Sequence, residues 1–125
     1  MSGGCGTESF AAIYQLVFAS PTYGCNTTAC HGRMDGQSGS VGKLELLTKD
    51  AAYKDLVGVK SDSLSCGDGT YTRVVPGNAA GSLLVQKLKA ETVKCGAIMP
   101  ISGIPIADVD LARIVAWING GACNN

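Results

Sequence analysis

Apolar side chains recur at helical spacing in four separate segments of the chain. The first segment predicts a helix from about Glu8 to Ala19, with Thr7 as its N-cap and Ser20-Pro21 as its end. Its apolar face consists of Phe10, Ile13, Leu16 and Val17, with Tyr14 beside them. We expect this face to dock against the rest of the protein.

Two shorter helices are expected in the middle of the chain. Thr48 is a typical N-cap for a second helix that reaches about Val57 and ends at Gly58. Asn78 is the expected cap of a third helix that ends near Lys89. The inward-facing positions are predicted to be Ala52, Tyr53, Leu56 and Val57 in the second helix, and Leu83, Leu84, Val85 and Leu88 in the third.

A fourth helix is predicted from about Asp108 to Asn119, because acidic residues favour its start and Gly120-Gly121 its end. Its apolar stripe consists of Leu111, Ile114, Val115 and Ile118, and we interpret the neighbouring Trp117 as a packing residue. Between the helices we expect a short extended stretch at Lys43–Leu47 and irregular loops at Val59–Val75 and Glu91–Ile106. The pattern predicts an all-α protein.

Length and composition suggest a small hydrophobic core that cross-links or a large cofactor would stabilise. The 125 residues fit one domain, 1–125, with a tail at 1–6. Hydrophobic residues make up 46% of the chain but aromatic residues only 6%, so side chains do not obviously supply a bulky apolar centre. Ten basic residues balance ten acidic ones, which argues against a nucleic-acid partner or a polybasic membrane anchor.

The candidate chemistry lies in the segment Cys25-Asn26-Thr27-Thr28-Ala29-Cys30-His31, which ends in the one histidine of the chain. A cysteine pair followed directly by histidine is typical of covalent haem attachment, in which two thioethers anchor the ring and the imidazole ligates the iron. Four residues separate the cysteines instead of the usual two. The alternative is a disulfide over a short loop beside an ordinary histidine. A zinc site or a redox dithiol fits the spacing less well.

Met99 is the candidate for a second iron ligand. It lies in a loop rich in glycine and proline, and a thioether is a soft donor that haem iron accepts. Pro100 stiffens the backbone beside it. Because the chain has one histidine, a second histidine ligand is excluded, and Met34 follows His31 by only three residues. The alternatives are that Met99 fills the core or that the distal site is open.

Six cysteines point to an oxidising compartment, so we expect an exported protein in the periplasm or on the outer surface of a bacterium. If Cys25 and Cys30 hold haem, the remaining four allow three pairings, of which we favour Cys66–Cys95 and Cys5–Cys123. The second bridge would tie the first and last helices together. Cys5 could instead be lipid-modified, which would tether the protein to a membrane.

The order of these parts resembles that of class I c-type cytochromes. The segments Val74-Val75-Pro76-Gly77-Asn78, Ser82-Leu83-Leu84, Met99-Pro100 and Ala116-Trp117-Ile118-Asn119-Gly120-Gly121-Ala122 resemble, more narrowly, the cytochrome c domains of planctomycetes and myxobacteria. The similarity covers residues 8 to 123. It implies a small monohaem cytochrome c-like fold, with about four helices and long loops wrapped around one haem c.

Site residues follow from the resemblance by position. Cys25 and Cys30 match the thioether cysteines, His31 the proximal ligand and Met99 the distal ligand. Pro76 matches, more loosely, the proline whose carbonyl orients the proximal imidazole. The implied function is electron transfer with redox partner proteins rather than catalysis, because two axial ligands leave the iron no open position. The alternatives are a haem-based sensor or enzyme with an open distal site, and a haem-free binding module stapled by three disulfides.

Overall fold

The structure is a computed structural model that describes residues 5–27, 30–32, 44–61, 71–89, 99 and 105–125. Within these residues the chain forms four helices, and the β structure is limited to isolated bridges. Helix α1 has α geometry over Phe10–Ile13 and continues with π geometry over Tyr14–Phe18. The other three helices are α2 (Lys49–Leu56), α3 (Leu83–Leu88) and α4 (Asp108–Asn119). The described part is therefore helical, in agreement with the predicted all-α class.

Helix α1 begins later than predicted. Its N-cap is Ser9 rather than Thr7, because the Ser9 hydroxyl accepts the Ala12 N–H at 3.1 Å. The first two donors of the helix bind Asn125, whose Oδ1 accepts from Phe10 N and whose backbone oxygen accepts from Ala11 N. The far end of the described chain therefore completes the start of the first helix.

The buried face of α1 also differs from the predicted one. The buried residues Phe10, Ile13, Tyr14, Val17 and Phe18 follow the i, i+3, i+4, i+7, i+8 spacing of one helical stripe. Leu16 is off this stripe and is 44% exposed, so its predicted inward position was wrong. A hydrogen bond from Ala19 N to Tyr14 O, 2.8 Å, closes the π turn.

The predicted caps hold for α2 but not for α3. Thr48 Oγ1 accepts from Ala51 N at 3.2 Å, which confirms it as the N-cap of α2. Asn78 instead closes a separate turn by accepting from Gly81 N, and α3 begins only after Ser82. The Ser82 hydroxyl donates to Asn78 O and accepts from Val75 N, so it stabilises this turn rather than the helix.

The connection from α2 to α3 contains two isolated bridges. Val57 pairs with Val74 in parallel and Lys60 with Thr72 in antiparallel orientation. Hydrogen bonds from Leu83 N to Thr72 O and from Leu84 N to Arg73 O then fix the start of α3 beside this connection. The buried Arg73 donates from Nη1 to Asp55 O, 2.8 Å, near the end of α2.

The first and last helices pack together, as predicted. The Phe10 ring stacks on Trp117 and also contacts Tyr14, Phe18 and Tyr53. Trp117 is 1% exposed, which agrees with its interpretation as a packing residue. The chain has few aromatic residues, but these five side chains form one cluster where the first and last helices meet. The expectation that side chains supply no bulky apolar centre was therefore wrong for this part of the protein.

Backbone contact and a disulfide tie the flanking segments of these two helices. Cys5 and Cys123 are bonded, with Cα atoms 5.9 Å apart, which is the predicted pairing. A Cβ at Gly120 would lie 2.9 Å from Gly6 Cα, so the two backbones cross where a side chain does not fit. None of the described helices is long and apolar enough to cross a membrane.

Candidate functional site

The cysteine-histidine loop follows α1 after a turn over residues 19–24. Tyr23 N and Gly24 N both donate to Ser20 O, which turns the chain back after the helix. Gly24 has a φ of +66°, a backbone conformation that glycine adopts readily. This turn connects the loop Cys25–His31 to the helix that stacks on α4.

Three backbone hydrogen bonds close this loop. His31 N donates to Cys25 O at 3.1 Å, while Cys30 N and Gly32 N both donate to Thr27 O at 2.9 Å. Gly32 is buried, and a Cβ at this position would lie 1.8 Å from the Asn26 carbonyl oxygen. Only glycine allows the chain to pass this close to its own turn. The sequence reasoning missed Gly32, although a glycine directly after the histidine was a visible signal.

The two loop cysteines are half-buried free thiols. Cys25 packs against the hydrophobic core. Burial and, to a smaller extent, the charge of a Cys30 thiolate raise the pKa of the Cys25 thiol to about 11. The two thiols are therefore close enough to interact electrostatically but are not bridged. A disulfide within this loop, the alternative left open by the sequence, is not what the structure contains.

The orientation of the His31 ring is set by a main-chain carbonyl. Nδ1 lies 3.0 Å from Leu44 O. Because a carbonyl oxygen can only accept, Nδ1 carries the proton in this hydrogen bond, and the neutral imidazole has its lone pair on Nε2. Nε2 is therefore the nitrogen suited to bind a metal, with Nδ1–H oriented by the protein.

Pro76 is the residue whose carbonyl was expected, by resemblance, to orient the proximal imidazole. Among the described residues, the carbonyl beside His31 Nδ1 is that of Leu44. Pro76 is exposed, and the next residue, Gly77, donates its N–H to Ile118 O at 2.8 Å. This contact holds the Pro76 turn against the last full turn of α4. The role inferred for Pro76 by resemblance stays a prediction.

Residues Leu44–Leu47, which we call the support segment, connect His31 to two helices. Besides accepting from Nδ1, the segment donates from Leu46 N to His31 O at 2.6 Å. Tyr14 of α1 donates its hydroxyl to Leu46 O and Leu47 O, at 2.9 and 2.6 Å. Burial raises the pKa of Tyr14, and its hydrogen bond with Asn26 partly offsets this.

Helix α2 holds the support segment from the other side. Asp55 Oδ2 accepts from Glu45 N at 2.9 Å. The segment has no regular secondary structure of its own, yet each of its four residues has a main-chain group hydrogen-bonded to another part of the protein. A brief extended stretch was predicted over Lys43–Leu47, and the described residues 44–47 form no strand. The contact of the segment with His31 was not predicted, since no residue type in Leu44-Glu45-Leu46-Leu47 indicates it.

Tyr23 joins the loop to the start of α4. Its hydroxyl donates to Asp110 Oδ2 at 2.7 Å and accepts from Ala107 N at 3.0 Å. The Ala107 N–H lowers the pKa of Tyr23, but the hydrogen bond to Asp110, burial and the Asp110 charge together raise it above its ordinary value. Ala107 is the N-cap residue of α4 and has no side-chain oxygen, so Tyr23 stabilises the start of that helix from outside.

Met99 is anchored to α3. Its N–H donates to Lys87 O at 2.7 Å, and its half-buried side chain packs against the same core as Cys25. Burial lowers the pKa of Lys87.

Of the predicted site residues, the structure joins Cys25, Cys30 and His31 in one loop and places Met99 on the shared core. Cys66, Cys95, Met34 and Pro100 lie outside the described residues.

Cys5 is exposed and its sulfur is bonded to Cys123. A cysteine in this bridge has no thiol to which a lipid can be attached. Among the described residues, no three His, Cys, Asp or Glu side chains are grouped closely enough to hold a metal ion.

No family model matches the chain, and neither a curated protein nor a solved structure shows significant similarity to it.

Proposed function

We propose that this chain is an exported electron carrier with one covalently bound c-type haem. In this proposal Cys25 and Cys30 form the thioethers, His31 is the proximal ligand and Met99 the distal ligand. The observation that supports it most is the hydrogen bond from His31 Nδ1 to Leu44 O beside two unbridged thiols. This donor set matches what covalent haem attachment requires.

The thiols suit the attachment chemistry. Each S–H would add across one vinyl group, with the sulfur and the hydrogen ending on its two carbons, so neither an oxidant nor a reductant is consumed. Both thiols are reduced in the structure, which is the state this addition needs. The bulge of four residues between them is closed by hydrogen bonds to Cys25 O and Thr27 O. Closure of this kind would hold both sulfurs on one short segment despite the longer spacing.

His31 would present Nε2 to the iron. Its hydrogen bond to a carbonyl keeps the proton on Nδ1 and increases the electron density on the ligating nitrogen. The Leu44 carbonyl is itself fixed, since the support segment is bound by α1 and α2. A ligand held this way keeps its position when the iron changes charge. This lowers the reorganisation energy of electron transfer.

In this proposal the rest of the haem environment is apolar. Haem would supply a one-electron couple between ferric and ferrous iron, and a methionine ligand favours the ferrous form. The main-chain hydrogen bond from Met99 to Lys87 O anchors that ligand to α3. Half-buried apolar side chains pack against the hydrophobic core and in this proposal would contact the porphyrin: Cys25, Leu44, Leu84, Met99, Leu111 and Val115.

Compartment and partners are part of the same proposal. A disulfide between residues 118 positions apart fits an oxidising compartment such as the periplasm. The partners would be other redox proteins. Because ten basic residues balance ten acidic ones, association would be weakly steered and would change little with salt concentration.

The decisive experiment is an absorption spectrum of the protein exported by a bacterial host that matures c-type cytochromes. We expect sharp c-type bands on reduction, a weak far-red band of sulfur-to-iron ligation in the ferric protein, and haem that stays attached under denaturing conditions. The matched control is Cys25→Ala/Cys30→Ala, which should lose covalent haem. Haem bands without the far-red band would favour a sensor or enzyme with an open distal site. A colourless protein would leave a haem-free binding module.

A further inference from the structure

We propose that Tyr14 is a positioning residue for His31, acting through the support segment Leu44–Leu47. Tyr14 belongs to α1, and its hydroxyl is bonded to the support segment and to the side chain of Asn26, not to the imidazole. It donates to two successive carbonyls of the segment whose first carbonyl accepts the Nδ1–H of His31. The inference rests on the proposed function, in which the orientation of this ring sets the properties of the iron.

Four hydrogen bonds form the path. Tyr14 Oη is 2.9 Å from Leu46 O and 2.6 Å from Leu47 O. Leu46 N is 2.6 Å from His31 O, and His31 Nδ1 is 3.0 Å from Leu44 O. The support segment is therefore hydrogen-bonded to both the main chain and the side chain of His31. Tyr14 is in turn hydrogen-bonded to the support segment. A shift of Leu46 would move both contacts of His31 together.

Burial makes the Tyr14 contact effective. Tyr14 is 6% exposed and Leu46 3% exposed, so water has little access to replace the hydroxyl. Without Tyr14 Oη, the carbonyls of Leu46 and Leu47 would lose a buried donor, and a buried carbonyl without a donor tends to turn toward solvent. Such a rotation would pull Leu46 N away from His31 O. On the α2 side, the segment is held by Asp55 Oδ2 on Glu45 N.

The consequence is local to the His31 ring. A weaker bond to Leu44 O would leave the Nδ1 proton more open to exchange with solvent and would reduce the electron density on Nε2. In the haem-bound protein, a less basic ligand stabilises ferric iron less and raises the reduction potential. These effects differ from a general loss of stability, which would not single out one ring proton.

The chain supplies a matched control. Tyr53 also donates a half-buried hydroxyl to a main-chain carbonyl, Ala122 O, at 2.8 Å, and it also contacts the Phe10 ring. Its hydroxyl partner is on the far end of the chain and not on the support segment. Tyr14→Phe and Tyr53→Phe therefore remove the same atom from comparable settings, and only the first should affect His31.

The test measures the solvent exchange rate of the Nδ1 proton by NMR in protein labelled with ¹⁵N at histidine. Because the chain has one histidine, the ring signals need no assignment. We expect Tyr14→Phe to speed exchange about fivefold, the loss of one ordinary hydrogen bond, and Tyr53→Phe to leave it nearly unchanged. Asp55→Ala, which releases the segment from the α2 side, should act in the same direction and serves if Tyr14→Phe does not fold.

Equal exchange rates in wild type and Tyr14→Phe, or an equal acceleration by Tyr53→Phe, would overturn the inference. In the haem-bound protein, the second expected result is a rise in the ferric/ferrous reduction potential for Tyr14→Phe but not for Tyr53→Phe. The Nε2 signal of the wild type reports separately on the proposed function, since iron ligation shifts it strongly. A wild type with an unligated Nε2 would refute the proposed function, while the exchange comparison would still decide the role of Tyr14.

Discussion

The ring of Phe10 stacks on the ring of Trp117, with their centroids 4.9 Å apart and their planes inclined by 30°. Both side chains are almost fully buried, and the Trp117 indole also donates to Cys123 O at 2.8 Å. This contact joins α1 to α4 beside the disulfide that links their flanking segments. The cysteine-histidine loop follows α1 after a turn over residues 19–24.

Truncation of the stack should be costly. We expect Trp117→Ala to lower the free energy of unfolding by about 3–5 kcal/mol, because it removes a large buried ring and leaves a cavity against Phe10. Leu16→Ala is the control on the same helix pair, since Leu16 is 44% exposed and its loss should cost no more than about 0.5 kcal/mol. Urea unfolding followed by circular dichroism measures both variants. Similar midpoints for the two would contradict the role given to Trp117.

The disulfide should stabilise the same region in a different way. Cys5 and Cys123 are 118 positions apart, so their bridge closes nearly the whole chain into a loop and restricts its unfolded state. We expect Cys5→Ser/Cys123→Ser to lose about 2–5 kcal/mol of unfolding free energy. Reduced wild-type protein provides the comparison without a substitution. An unchanged urea midpoint in both would show that the packing of α1 on α4 is sufficient alone.

Local signals in the sequence predicted the helices whose ends are set locally. Thr48 caps α2 through its own hydroxyl, and α4 has the predicted bounds, Asp108–Asn119. The start of α3 was wrong because the Asn78 side chain closes a turn that ends in Gly81. Side chains that can cap a helix can equally close a turn, and the surrounding contacts decide between them.

In the candidate site, too, the sequence predicts residue roles but not their tertiary contacts. Residue types alone predicted the roles proposed for Cys25, Cys30 and His31, because the chemistry follows from a short segment. The acceptor of the His31 proton could not be predicted, since Leu44 offers only a main-chain carbonyl and its position depends on Tyr14 and α2. Every residue supplies a main-chain carbonyl, so tertiary structure selects the partner.

Gly32 should be indispensable to the loop. A Cβ there would lie 1.8 Å from Asn26 O, and the obstacle is main chain rather than a movable side chain. We expect Gly32→Ala to cost about 1–3 kcal/mol of stability and to reduce the yield of covalent haem per protein, because the loop that holds the thiols cannot close. The measurement is haem absorbance against protein concentration.

The control for Gly32→Ala is Gly58→Ala. Gly58 has a φ of +75°, and no atom of the described residues lies within 4 Å of the position that a Cβ would take. The substitution therefore strains the backbone by about 1–2 kcal/mol but obstructs no described neighbour. Its haem yield should equal that of the wild type. If both variants lose haem equally, the effect comes from stability in general and not from the shape of the loop.

Tyr14 should affect stability at alkaline pH. Burial raises its pKa in the folded protein above the ordinary value near 10, so the folded state keeps the phenolic proton longer than the unfolded state does. Its contribution is complete below about pH 10 and is lost as the pH rises through the folded value. We expect the unfolding free energy of wild type to fall more steeply above pH 10 than that of Tyr14→Phe. Parallel curves from urea titrations at pH 8 to 11 would contradict this.

Met99 should determine the far-red band and the reduction potential. Met99→Leu removes the thioether but keeps the N–H that donates to Lys87 O, so the main chain should keep its path. We expect the ferric far-red band to vanish, the reduction potential to fall, and external ligands such as imidazole to bind, because the iron loses a donor that favours its ferrous form. Met34→Leu makes the same change three residues after His31 and should leave spectrum and potential unaltered. If Met34→Leu removes the band and Met99→Leu does not, the distal ligand is Met34.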